Sequence, residues 1–272
     1  MPTRESIPLV PRHRVAGHAH GTLRSTRRGV GGDVVGSRPY RPGDDVRQID
    51  RLASARLSAM LDRDEFVVRE RLAEESTYVV VLEDAGPSMR LFPAGFPWLS
   101  KPAAVTELGR LLQLSAGRAR CHFRWQRQPD GLAGGLEQLL HRRLGSGSFV
   151  FLVSDFLRPL PSDLLAAAAE RRWDLVPCVL QDSIWEQSFP DVAGVVLPLA
   201  DPDTARVRPT RLTRRECASR RLANEARFAS ILERARDLDL DSLVVASHDP
   251  DDVYHRFLEW AETRRIVAGR RR

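Results

Sequence analysis

Short apolar runs alternate with stretches of helical apolar spacing along most of the chain after residue 77. The runs are strand-sized and rich in β-branched residues, and turn residues bound them, which is typical of buried strands. They predict strands at 78–83, 121–125, 149–154, 174–180, 194–199 and 242–247. The stretches between them predict helices over 101–117, 132–144, 161–172, 213–238 and 250–265. Thr213 and Glu216 form a capping-box pattern at the start of the longest helix.

This alternation predicts a doubly wound α/β fold, with a mostly parallel sheet and helices on both faces. The predicted division is a flexible Arg/Gly-rich N-terminal segment at 1–34, a region packing on the core at 35–75, the α/β domain at 76–266 and a basic tail at 267–272. Ligands of such sheets bind outside the carboxyl ends of the strands.

Composition is that of a globular protein, with 42% hydrophobic and 29% charged residues. The sequence contains no apolar run of membrane-spanning length and no apolar block of a secretory signal, so we expect a cytoplasmic protein. Its three cysteines are scattered, which argues against a disulfide framework or a thiolate zinc site.

The net charge of +6 is concentrated near the N-terminus, where residues 1–56 hold eleven arginines against five acids. Clustered cations favour nucleic-acid binding through counterion release. Tyr40 is the only aromatic residue in that stretch, which leaves no platform for base stacking. A nucleic-acid-associated basic protein is therefore an alternative function.

Two aspartates follow two of the predicted buried strands directly. Asp84 comes after 78–83 and Asp155 after 149–154, so both are expected at the carboxyl edge of the sheet. With the hydroxyl of Ser88 they offer three hard oxygen ligands, a set that suits Mg²⁺ with several waters retained. The alternative is that each aspartate caps the helix that follows it.

The stretch "YRPGDDVRQID" at 40–50 joins a Pro-Gly turn to five charged residues. Together with "ASAR" at 53–56, "VSDF", "LPLADPDTARV" and "FLEWAETRR", it resembles the bacterial family called domain of unknown function 58. In that family the motif precedes a von Willebrand factor A-type core with a D-x-S-x-S metal-ion-dependent adhesion site. The resemblance covers about residues 30–266.

The resemblance implies that Asp84, Ser88 and Asp155 are metal ligands. The chain departs from the pattern at Gly86, which replaces the first serine, and it lacks the usual threonine of the third loop, where Asp130 is the only substitute. The implied Mg²⁺ site is thus a degenerate one.

The charged motif is expected to form a structural latch or a docking surface for a partner. Its candidate residues are Tyr40, Pro42, Gly43, Asp44, Asp45, Arg47, Asp50 and Arg56. Genes of the resembling family commonly accompany AAA+ ATPases of the MoxR type, which implies an adaptor in protein maturation or remodelling.

Motifs of common catalysts are missing from the sequence: it has no P-loop, nucleophile elbow or H-E-x-x-H. We therefore expect a non-enzymatic protein-interaction module. A metal-dependent hydrolase that uses Asp84 and Asp155 is a third hypothesis.

Overall fold

The fold is that of a computed structural model. It describes residues 6–11, 34–41, 44–71, 77–91, 99–142, 144, 147–171 and 173–270.

Nine strands and six α-helices are found in these residues. The strands are β1 (Val34–Pro39), β2 (Val67–Arg71), β3 (Tyr78–Asp84), β4 (His122–Gln128), β5 (Phe149–Ser154), β6 (Asp174–Leu180), β7 (Val196–Ala200), β8 (Val207–Arg211) and β9 (Leu243–Val245). The helices are α1 (Arg51–Leu61), α2 (Lys101–Arg118), α3 (Leu132–Leu140), α4 (Ser162–Ala169), α5 (Arg214–Asp237) and α6 (Pro250–Arg270).

Five strands form a parallel sheet in the order β4-β3-β5-β6-β9. The predicted α/β fold is confirmed, and β5 and β6 have the predicted bounds. The predicted capping box at the start of α5 is also confirmed. The Thr213 side chain accepts a hydrogen bond from the backbone N–H of Glu216, and the Glu216 side chain accepts one from the backbone N–H of Thr213. Because all five strands run the same way, the residues that follow them gather at one edge.

The core has two layers, one on each face of the sheet. Alternate strand residues point to opposite faces, so Val79 and Phe151 belong to one layer while Val80 and Leu152 belong to the other. The first layer packs on α2 and α6, and the second on α3, α4 and α5. Every residue of β5 and β6 is buried, which explains why their sequences are almost continuously apolar.

The segment predicted as a strand at 194–199 does not join the five-stranded sheet. The segment forms β7, which pairs antiparallel with β8 in a separate two-stranded sheet. Pro198 lies opposite Pro209 in this ladder. Proline donates no ladder hydrogen bond, so such a pair suits an exposed hairpin and not the interior of a sheet.

Residues 6–11 lie in the segment that we expected to be flexible, but they pack against the core. Ile7 and Leu9 are buried in the layer that holds α2 and α6. The backbone N–H of Ile7 donates to the Ser115 hydroxyl over 3.1 Å, and Arg264 donates to the carbonyl of Val10 over 3.3 Å. Most of 1–34 lies outside the described residues.

Within the described parts of the chain, no helix combines the length and apolar character needed to cross a bilayer.

Candidate functional site

Asp84 and Asp155 lie at the same edge of the sheet, as predicted. β3 and β5 are neighbours, with Glu83 opposite Val153, so both strands end at one level. Asp84 is the last residue of β3, and Asp155 follows β5 directly. Both side chains are buried, although carboxylates are rarely buried without partners.

Both carboxylate oxygens of Asp84 accept hydrogen bonds. The Ser154 hydroxyl donates to Oδ2 over 2.7 Å, and the backbone N–H of Gly86 donates to Oδ1 over 2.9 Å. A Cβ on Gly86 would lie 3.0 Å from Oδ1, closer than most real contacts of this kind. The absence of a Cβ on Gly86 therefore allows this tight turn.

Both carboxylate oxygens of Asp155 also have partners. The backbone N–H of Leu157 donates to Oδ1 over 3.0 Å, which caps the turn after β5. The ammonium of Lys101 donates to Oδ2 over 2.8 Å. The backbone carbonyl of Asp155 accepts a 2.6 Å hydrogen bond from the Gln181 side chain.

Lys101 is the first residue of α2, and its side chain is fully buried. Besides Asp155, its Nζ donates to Glu186 Oε1 over 2.6 Å and to the backbone carbonyl of Ser88 over 3.3 Å. Burial alone would disfavour the charged amine. The charges of Glu186 and Asp155 outweigh that penalty, so the pKa of Lys101 is raised and the amine is an ammonium.

Glu186 lies in the loop after β6 and brings a third loop into the site. Its Oε2 accepts a 2.9 Å hydrogen bond from the N–H of Asp182, whose own carboxylate accepts one from the N–H of Leu99. Burial raises the pKa of Glu186, partly offset by Lys101. Arg227 of α5 donates to the Glu186 backbone carbonyl over 3.0 Å and adds a second positive charge beside these carboxylates.

The arrangement does not offer a divalent ion the ligands that the resemblance implies. All four carboxylate oxygens of Asp84 and Asp155 accept hydrogen bonds, and the Ser88 carbonyl faces the ammonium of Lys101. Asp130 is exposed in the turn after β4. Among the described residues, no group of three or more His, Cys, Asp or Glu side chains could hold a metal ion. The position beside Asp155 that a divalent ion would take is occupied by the Lys101 ammonium, so the site does not fit Mg²⁺ at that carboxylate.

The charged motif at 40–50 is organised by helix caps as well as by an ion pair. Asp45 caps a 3₁₀ turn at Val46–Gln48 by accepting the N–H of Arg47, and Asp50 caps α1 by accepting the N–H groups of Leu52 and Ala53.

Asp44 forms a bidentate ion pair with Arg38, which lies outside the motif. The N–H of Tyr40 donates to the carbonyl of Phe66 over 2.8 Å, and Arg56 is exposed on α1. Pro42 and Gly43 lie outside the described residues.

The Asp44 ion pair makes a testable pH prediction. Hydrogen bonds from Arg38 and from the N–H of Arg41 lower the pKa of Asp44 from 3.8 to about 2. The pair therefore stabilises the fold above pH 3.8 and loses its effect as the pH falls through about 2. We expect Arg38→Met to raise the Asp44 pKa part of the way to 3.8, as followed by NMR titration of the carboxyl carbon. An unchanged pKa would show that the Arg41 amide alone holds it down.

Several large apolar side chains of this region are exposed. The exposed fraction is 82% for Met60 and 64% for Leu52, both on α1. The complete set in this region is Val46, Leu52, Met60, Leu61 and Phe66, which we call the 46–66 apolar surface because all five side chains are exposed. Contiguous exposed apolar patches often mark sites of protein interaction, whereas single exposed apolar residues are common.

Asp84 and Asp155 were predicted from the sequence, whereas Lys101, which pairs with Asp155, and Glu186, which pairs with Lys101, were not. A signal was present for Lys101, because it is the only lysine among 42 basic residues. Glu186 had no local signal, since it lies 85 residues from Lys101 along the chain.

No family model, curated protein or solved structure matches the chain.

Proposed function

We propose that the chain is a non-enzymatic protein-interaction module that works as an adaptor with an AAA+ ATPase of the MoxR type. The partner class comes from the resemblance of the 40–50 motif and the α/β core to the domain of unknown function 58 family. A cytoplasmic location is part of this proposal.

The observation that carries the proposal is the 46–66 apolar surface. Its five residues come from one short stretch that begins inside the charged motif and ends at β2. Asp45 and Asp50 cap the turn and the helix that carry Val46 and Leu52. The motif thus presents apolar side chains on an ordered scaffold, which lowers the entropy lost when a partner binds.

The carboxyl edge supports an adaptor better than a hydrolase. A hydrolase that uses a metal ion would need the ion to bind the carboxylates of Asp84 and Asp155. A cation already lies against Asp155, because the Lys101 ammonium donates to its Oδ2 over 2.8 Å.

Binding to a purified MoxR-type ATPase from the same cell tests the proposal. We expect Leu52→Asp to weaken binding by about tenfold or more, because a charge would replace an apolar contact at the interface. The matched control is Leu222→Asp on α5, since Leu222 is 67% exposed and lies outside the surface.

Leu222→Asp should bind as tightly as the wild type. Absence of binding by the wild-type chain would reject the partner class. Equal losses in the two variants would reject the 46–66 apolar surface as the docking site.

A further inference from the structure

We propose that the Lys101 ammonium takes the place of the divalent ion at the carboxyl edge, so that the chain carries its own cation and the site is independent of metal. This inference concerns the edge of the sheet and does not depend on the proposed ATPase partner.

The first support is the match between donors and acceptors. An ammonium has three N–H donors. Among the described residues, three oxygens accept hydrogen bonds from Lys101 Nζ: Asp155 Oδ2 at 2.8 Å, Glu186 Oε1 at 2.6 Å and the Ser88 carbonyl at 3.3 Å. These oxygens come from the segments after β5, β6 and β3. One cation thus joins three loops, as a bound metal ion would.

The second support is electrostatic. Lys101 opens α2, where the positive end of the helix dipole disfavours another positive charge. Burial of an ammonium adds a large desolvation cost. Such a placement is stable only because two buried carboxylates face the amine, and removal of the amine would leave those carboxylates without their cation.

The third support is the choice of side chain. Arginine supplies 41 of the 42 basic residues, and lysine appears only here. Arginine presents a broad planar fork, whereas lysine presents a compact point charge on a flexible stem. A compact cation suits an enclosed position between two carboxylates and a carbonyl, and a metal ion is also compact.

Binding of Mn²⁺, followed by electron paramagnetic resonance, tests the inference. The wild-type chain and Asp84→Asn should both bind Mn²⁺ only weakly and to the same extent. Lys101→Ala removes the ammonium beside Asp155 and Glu186, and we expect it to bind Mn²⁺ at least about tenfold more tightly than the wild type. Lys101→Ala/Asp155→Asn is the matched control and should lose that gain.

The inference would be overturned if the wild-type chain bound Mn²⁺, if Mg²⁺ displaced that Mn²⁺, and if Asp84→Asn abolished the binding. A folded Lys101→Ala variant that gains no Mn²⁺ site would also overturn it. If circular dichroism shows that Lys101→Ala is unfolded, the wild-type and Asp84→Asn measurements decide. Equal and weak Mn²⁺ binding by the wild type and Asp84→Asn then supports an internal cation. Mn²⁺ binding that Asp84→Asn removes rejects it.

Discussion

Lys101→Met is expected to lower the free energy of unfolding by about 3–5 kcal/mol, because it leaves two buried carboxylates without their cation. Methionine keeps much of the side-chain volume, so the loss reports the charge and its hydrogen bonds. Asp155 and Glu186 would keep Arg227 as a nearby cation, but the excess buried negative charge is costly. Urea denaturation of the purified chain measures the difference.

Arg110→Met is the matched control for this prediction. Arg110 lies on the same helix and pairs with Glu107 over 2.7 Å, but its side chain is 40% exposed. Exposed pairs of this kind contribute about 0.2–1 kcal/mol, so the control should lose little. Equal losses in the two variants would show that the buried ion pairs contribute no more to the free energy of unfolding than the exposed pair does.

Phe151→Ala should cost about 3–5 kcal/mol, the usual range for removing a large buried aromatic side chain. Phe151 lies in the central strand β5, is fully buried, and contacts the rings of Phe149, Phe257 and Trp260 at centroid distances of 6.1, 6.3 and 5.8 Å. Its removal would leave a cavity between the sheet and α6. Thermal or urea denaturation measures the effect.

Leu222→Ala provides the comparison for Phe151→Ala. Leu222 is 67% exposed on α5, so truncation should change the free energy of unfolding by less than about 0.5 kcal/mol. A small loss for Phe151→Ala, similar to that for Leu222→Ala, would show that the layer between the sheet and α6 is not tightly packed.

The core of the fold could be predicted because its signals are local. β5 and β6 are short apolar runs bounded by polar residues, and they form at the predicted positions. The α5 capping box depends on residues three positions apart. Neighbouring β3 and β5 place Asp84 and Asp155 at one edge, which follows from the parallel arrangement.

The cation beside Asp155 could not be predicted, because its contacts are long-range. Lys101 reaches Asp155 across 54 positions and Glu186 across 85. Its being the only lysine singles it out, but no local signal places its side chain at the edge of the sheet. A carboxylate at that edge indicates a cation but does not say whether the cation is a metal ion or an amine.

The strand at 194–199 shows a second limit of prediction from the sequence, which concerns strand pairing. An apolar run predicts a strand but does not identify the strand with which it pairs. Pro198 was a weak signal, since proline donates no ladder hydrogen bond and is depleted within sheets, and the segment forms the exposed β7–β8 hairpin.

Amine modification followed by peptide mapping tests whether Lys101 is the internal cation of the carboxyl edge. Lys101 is the chain's single lysine, so one peptide reports its state. Under native conditions we expect Lys101 to resist reductive methylation, with or without excess Mg²⁺, and to react fully once the chain is unfolded in urea. Rapid methylation in the native chain, or methylation that Mg²⁺ accelerates by displacing the amine, would show that a metal ion and not Lys101 belongs at Asp155.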